Sequence, residues 1–372
     1  MSNQPAQHHG VYPRPVLGQL PKYAAGKVAT PVEGLTPYKL SSNENPFGPV
    51  PAVHKVLAEF TDYCRYPDPM STALRERIGT HLGVPADDIV TGAGSLGALT
   101  QLISTFAGTN EDGSKDEVIY PWRSFEAYPI VVRTAGAQDV QIPLLPDHRH
   151  DLDAMAAAIN ERTRVIILCT PNNPTGPVLT TAEVEDFMAK VPNHVLVILD
   201  EAYLEFIRDE NAVEGVEMYR KYPNLVALRT FSKAHGLANL RVGYSLSNPD
   251  LTQYLRVIQT PFAVSTVASN AAIASLDAIE EVMERVNQVV AERDRVQAGL
   301  AELGWDIPES HANFVWLPMG ERTQEFAAKA DEVALSLRAF GDEGLRVSIG
   351  EVEANDRFLQ LCADNRDFLA AD

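Results

Sequence analysis

The chain has 372 residues, 45% of them apolar, enough for one large core or for two domains folded around a shared cleft. Its 31 basic and 50 acidic residues give a net charge of −19 with no long Lys/Arg block, which argues against nucleic acid and anionic membranes as partners, because both are held by clustered cations. Cys64, Cys169 and Cys362 stand far apart without a CxxC spacing, so neither a disulfide framework nor a metal site is expected, and a reducing cytoplasm is. The polar N-terminus, with His8 and His9, shows no signal pattern, and no run of about 18 apolar residues occurs.

In chain order, residues 1–45 read as an extended arm, since Pro5, Pro13, Pro15, Pro21, Pro31 and Pro37 prevent long helices. Short apolar runs follow at 117–120, 165–169, 195–199 and 225–228, separated by helical stretches such as 181–190. That alternation predicts an α/β domain over 46–265 with a mainly parallel sheet covered on both faces. Apolar residues at three- and four-residue spacings over 279–303 predict a long amphipathic helix, ended by Gly304. Strand-like pieces at 313–317 and 345–349 complete a smaller α+β domain over 266–372, with no internal repeat.

Four segments carry chemistry, each at or just beyond a strand, where open α/β sheets bind ligands. Thr91 to Gly97 is a glycine-rich turn after Ile89 and Val90, leading into a helix through Leu96 and Leu99. Its backbone amides can hold a phosphate, although a turn with Ser95 as a structural N-cap reads equally well. Thr170 to Gly176, Thr-Pro-Asn-Asn-Pro-Thr-Gly, is a turn by composition. Asp200-Glu201-Ala202-Tyr203 closes an apolar strand; the acidic pair is either a solvated strand end or a means of holding a proton on a heteroaromatic nitrogen. Thr230 to Tyr244 contains Ser232-Lys233 and, eight residues on, Arg241, a hydroxyl and a guanidinium suited to a phosphate.

Taken together and in this order, the segments resemble those of fold-type I enzymes dependent on pyridoxal 5′-phosphate (PLP), specifically the aminotransferases of the histidinol-phosphate aminotransferase branch. The resemblance runs from Leu20-Pro21-Lys22-Tyr23 through Ser42-Asn43-Glu44-Asn45-Pro46 and Arg65-Tyr66-Pro67-Asp68 to Asn313-Phe314-Val315 and Leu345 to Gly350. It implies that Lys233 carries the cofactor, that Asp200 pairs with its pyridine nitrogen, and that Asn173 and Tyr203 bond its phenolic oxygen. Ser95, the Leu96 backbone, Ser232 and Arg241 would hold the phosphate, joined by the partner subunit's Tyr66, so that the enzyme is expected to be at least a homodimer. Phe125 falls where the family stacks an aromatic ring on the cofactor. Arg346 would bind the substrate α-carboxylate, with Tyr23 and Asn43 lining the substrate site.

Two substrates fit these motifs. The segments Trp122 to Pro129, Pro261 to Ser265 and Asn313 to Pro318 look like the aromatic (phenylalanine) aminotransferase of actinobacterial type, and Trp122, Phe125, Tyr128 and Phe340 could build an apolar wall around an aromatic side chain. Arg338 falls where histidinol-phosphate enzymes place an arginine that can meet the substrate phosphate. The expectation is transfer between phenylalanine or tyrosine and 2-oxoglutarate, with histidinol phosphate as the alternative donor and a related decarboxylase as a distant third. A PLP-binding transcription regulator is disfavoured, because only a short, mostly uncharged stretch precedes the resemblance.

Overall fold

A computed structural model describes residues 14–20, 23 and 26–369; Pro5, His8, His9, Pro13, Pro21 and Lys22 lie outside the described residues. Within them the strands are, in chain order, β1 (Tyr38–Lys39), β2 (Ile89–Ala93), β3 (Glu117–Trp122), β4 (Gln138–Pro143), β5 (Thr163–Cys169) and β6 (Leu196–Asp200). They continue with β7 (Leu225–Thr230), β8 (Val242–Leu246), β9 (Phe314–Leu317), β10 (Leu335–Ser336), β11 (Arg338–Phe340) and β12 (Gly344–Ser348). The large sheet has seven strands in the order β2-β8-β7-β6-β5-β3-β4. The apolar runs read from the sequence form its centre, and their side chains alternate between two cores. Ile119, Ile166, Leu168, Val197 and Leu199 enter one, and Val118, Val165, Ile167, Ile198 and Val226 enter the other, as a two-residue period requires.

Six of these strands run parallel. The exception is β8, antiparallel to both β2 and β7. Between Thr230 and Val242 the chain has only a short 3-10 turn, Ala238–Leu240, too little for a helical crossover, so it folds back on its neighbour. The segment after Lys233 therefore ends in a strand, which the motif alone did not disclose. Nor was β4 expected: it lies at the sheet edge and exposes much of its length, so its composition lacks the apolar run of the central strands.

The predicted helix over 181–190 spans Thr181–Met188, opened by a reciprocal capping box between Thr180 and Glu183. The long helix spans Ile279–Leu303 and ends on Gly304 at φ 92°. It packs against the helix Val352–Asp364 beside a three-stranded antiparallel sheet of β11, β12 and β9. Part of the arm is tied to this region, because β1 pairs in parallel with β10. Among the described residues no helix is long and apolar enough to cross a membrane.

Candidate active site

The carboxyl ends of β5, β6 and β7 carry Cys169, Asp200 and Thr230, and all three line one cavity of about 350 Å³. The site thus sits where parallel strands end and their loops diverge. Tyr23, Asn43, Ser95, Leu96, Phe125, Asn173, Tyr203, Ser232, Lys233, Arg241, Arg338 and Arg346 line the same cavity. Tyr66 does not. The residue is 83% exposed, and its ring stacks on Phe262 with centroids 4.7 Å apart.

One end of the cavity is built for an anion. β2 runs into the helix Gly94–Phe106, whose first turn holds Ser95 and Leu96. Gly94 has φ 74°, and a Cβ there would lie 2.3 Å from the Arg241 guanidinium; one on Gly243 would lie 2.2 Å from the Ser95 amide nitrogen. Glycine at both positions lets Arg241 and β8 close on the helix N-terminus, where amides and dipole favour negative charge. Arg241 donates to the Ser232 hydroxyl at 3.3 Å and to the Ala238 carbonyl at 2.8 Å. Ser95 is not the helix cap: Ala93 takes that position, with no side-chain bond, leaving the Ser95 hydroxyl on the cavity wall.

At the other end Asp200 closes β6. Its Oδ2 accepts a hydrogen bond from the Tyr128 hydroxyl at 2.8 Å, while its buried Oδ1 has no partner. Burial pushes the carboxyl up to about 6, against the hydroxyl bond, which lowers it. Lys233 Nζ has one weak acceptor, the Ser42 carbonyl at 3.3 Å. Burial, then the nearby Arg346 charge, bring its pKa down to about 7, so a neutral amine is accessible near neutrality. The Tyr203 hydroxyl accepts from Asn43 Nδ2 at 2.9 Å, and burial raises its pKa. Arg346 donates to Asn173 Oδ1 at 2.6 Å and to the Ser41 carbonyl at 2.9 Å, and its Nε is buried without a partner.

The aromatic wall needs correction. Phe125 and Phe340 line the cavity, but Trp122 and Tyr128 do not. Tyr128 is fully buried beneath Asp200, and Trp122 packs on Tyr120 and under the Arg123 guanidinium. The two turn away from the cavity because Trp122 ends a strand while Tyr128 lies in the first turn of the helix Ala127–Ala135. Arg338 is not free either, since it donates to Glu126 Oε2 at 2.5 Å. Glu126, Ser41, Ser42, Cys169 and Thr230 line the cavity without having been singled out in the sequence. Ser42 lay within the Ser-Asn-Glu-Asn-Pro segment and Glu126 within the Trp122 to Pro129 segment; Ser41 carried no signal.

The donor set suits PLP. An orphaned buried carboxylate oxygen, a lysine amine of lowered basicity and a glycine-walled anion pocket line one cavity. Residues 36–360 match the family described as aminotransferase class I and II. The chain is 50% identical over 354 residues to a protein of Streptomyces coelicolor named aromatic amino acid aminotransferase, covering 95% of this chain and 97% of that one. A namesake from Streptomyces avermitilis is 50% identical over 349 residues, covering 94% and 96%. Among solved structures, histidinol-phosphate aminotransferase from Sinorhizobium meliloti in complex with pyridoxal 5′-phosphate superposes with a TM-score of 0.80 at 27% identity, covering 89% of this chain and 91% of that one. By family, relatives and the fit of its cavity, the chain belongs to the class I and II aminotransferases and is a PLP-dependent transaminase.

Proposed function

We propose that the enzyme moves an amino group between an aromatic amino acid, phenylalanine or tyrosine, and 2-oxoglutarate. The observation that carries this reading is the pairing of Arg346, a buried guanidinium with no carboxylate partner among the described residues, with the Phe340 ring 5.6 Å from it, both on the cavity wall with Phe125. Such a wall accepts an α-carboxylate and a flat apolar side chain together. The names of the two Streptomyces relatives support the choice.

PLP, when bound, supplies an electron sink for the charge left at the substrate Cα. The protein residues position and tune. Ser95, the Leu96 amide, Ser232 and Arg241 would hold the phosphate, and Asp200 would keep a proton on the ring nitrogen. Asn173 and Tyr203 would orient the phenolic oxygen, and Phe125 would pack on the ring. Arg346 would turn the substrate so that its Cα–H faces Lys233, whose neutral amine would take that proton. Tyr23 and Asn43 complete the substrate wall. In this reading residues 46–265 form the cofactor domain, 266–372 the smaller domain and 1–45 an arm, and the partner subunit's Tyr66 reaches the phosphate in a homodimer.

The test is a half-reaction. The PLP form is mixed separately with phenylalanine, tyrosine, glutamate and histidinol phosphate, and loss of the cofactor's absorbance is timed. Phenylalanine or tyrosine should react with a higher kcat/KM than histidinol phosphate by about tenfold or more, the value of burying an aromatic side chain. A preference for histidinol phosphate that Arg338→Ala abolishes would establish that donor instead.

A further inference from the structure

We propose that Glu126 sets the charge balance of the cavity and so selects ligands with a single carboxylate over those carrying a second anionic group. The inference deepens the substrate reading above and rests on it.

β11 and β12 are antiparallel, and Arg338 stands directly opposite Arg346 in their register. Residues so placed share one face of a sheet, where like charges repel. Both guanidinium groups also lie against the Phe340 ring, at 5.1 Å and 5.6 Å from its centroid. The protein compensates only one of them. Arg338 has the Glu126 carboxylate at 2.5 Å, whereas Arg346 is met by an amide oxygen and a carbonyl, both neutral. Another acidic side chain at this rim, Glu343, is already paired with Arg123.

Two cations and one anion therefore face the ligand. The α-carboxylate of a neutral-side-chain amino acid brings the count to two and two. A dicarboxylate or a phosphate ester brings a further negative charge, which must either sit beside Glu126 or displace it from Arg338. Displacement is open: Glu126 is partly exposed at the start of the helix Ala127–Ala135 and has no other hydrogen-bond or ion-pair partner among the described residues. It is thus a counter-ion that can leave for water, at a cost that monocarboxylates never meet. This also lets one cavity serve an aromatic donor and a dicarboxylic acceptor in turn.

The experiment uses two unreactive ligands, glutarate and 3-phenylpropionate, titrated calorimetrically into the PLP-loaded enzyme. In Glu126→Gln, glutarate should bind about tenfold more tightly, since Arg338 is free to take the second carboxylate as a charge-assisted bond, and 3-phenylpropionate should change by a smaller factor. Glu126→Ala, the second variant, should shift the same way, and adding Arg338→Leu to Glu126→Gln should cancel the gain. A glutarate gain below threefold, an equal gain for both ligands, or a gain that survives Arg338→Leu overturns the proposal. Failure of the aromatic-substrate reading would show separately, as wild-type enzyme that does not convert phenylalanine.

Discussion

Asp200 accepts one side-chain hydrogen bond, from Tyr128, and that bond, more than the Ala202 amide, opposes the effect of burial on its charge. Removing that hydroxyl in Tyr128→Phe leaves burial opposed by the Ala202 amide alone, raises the fraction of neutral carboxyl at pH 7 and would weaken its hold on a protonated ring nitrogen. A charge-assisted bond is worth about 1.5–3 kcal/mol, so the Kd for PLP should rise about tenfold or more, measured by equilibrium dialysis; an unchanged Kd would separate Tyr128 from cofactor binding. Lys233 gives a prediction in pH. Its folded pKa of about 7 lies below the free value of 10.5, so the stability linked to it is present above 10.5 and is lost as pH falls to 7. In the apoprotein, Lys233→Met should therefore raise Tm by about 2 °C or more at pH 7.5 and progressively less towards pH 10. A pH-independent difference would contradict this. Asp200 and Lys233 were legible as residues at strand ends, and Asn173 through the resemblance of its turn segment to a known family. Glu126 and Tyr128 were not, because what matters for them is a partner distant in sequence, Arg338 for one and Asp200 for the other.

Among the elements, β6 and β7 are locked together just below the cavity. Glu201, the residue after β6, is wholly buried; it accepts from Arg229 Nε on β7 at 2.8 Å and from the Gly215 amide at 2.6 Å, while Arg229 also bonds Glu214. Severing this ion pair strands a buried carboxylate. Arg229→Met should lower unfolding free energy by about 3–5 kcal/mol, read as a drop in the urea midpoint at neutral pH; a loss below about 1 kcal/mol would mean that Glu201 finds water or protonates without strain. The acidic pair Asp200-Glu201 thus divides its work, one carboxylate facing the cavity and the other the packing between strands. Sequence pattern placed the pair at a strand end and left open which role it played. The same limit hid β8, since its direction follows from the brevity of a loop and from the lack of a crossover helix.

For the whole molecule, exposed Tyr66 supports a test of assembly. If Tyr66 serves a second copy, mixing Tyr66→Ala with Lys233→Ala protein should restore about a quarter of wild-type turnover per site, because half the random dimers then hold one intact site; turnover no higher than the sum of the parents would refute the shared site. The central strands of the large sheet, their ends and the long helix were readable from period and composition. What closes the cavity was not, because it joins chain segments far apart: Tyr38 pairs with Leu335, the Asn43 amide donates to the Ser348 hydroxyl, and the Ser41 carbonyl accepts from Arg346. These contacts span roughly four fifths of the chain. During synthesis, the segment holding Ser41 and Asn43 leaves the ribosome 305 residues ahead of Ser348 and stays without these partners until they follow it. All strands of the large sheet, the last ending at Leu246, are made before those partners, so this wall of the cavity closes after the sheet that carries Lys233 is complete.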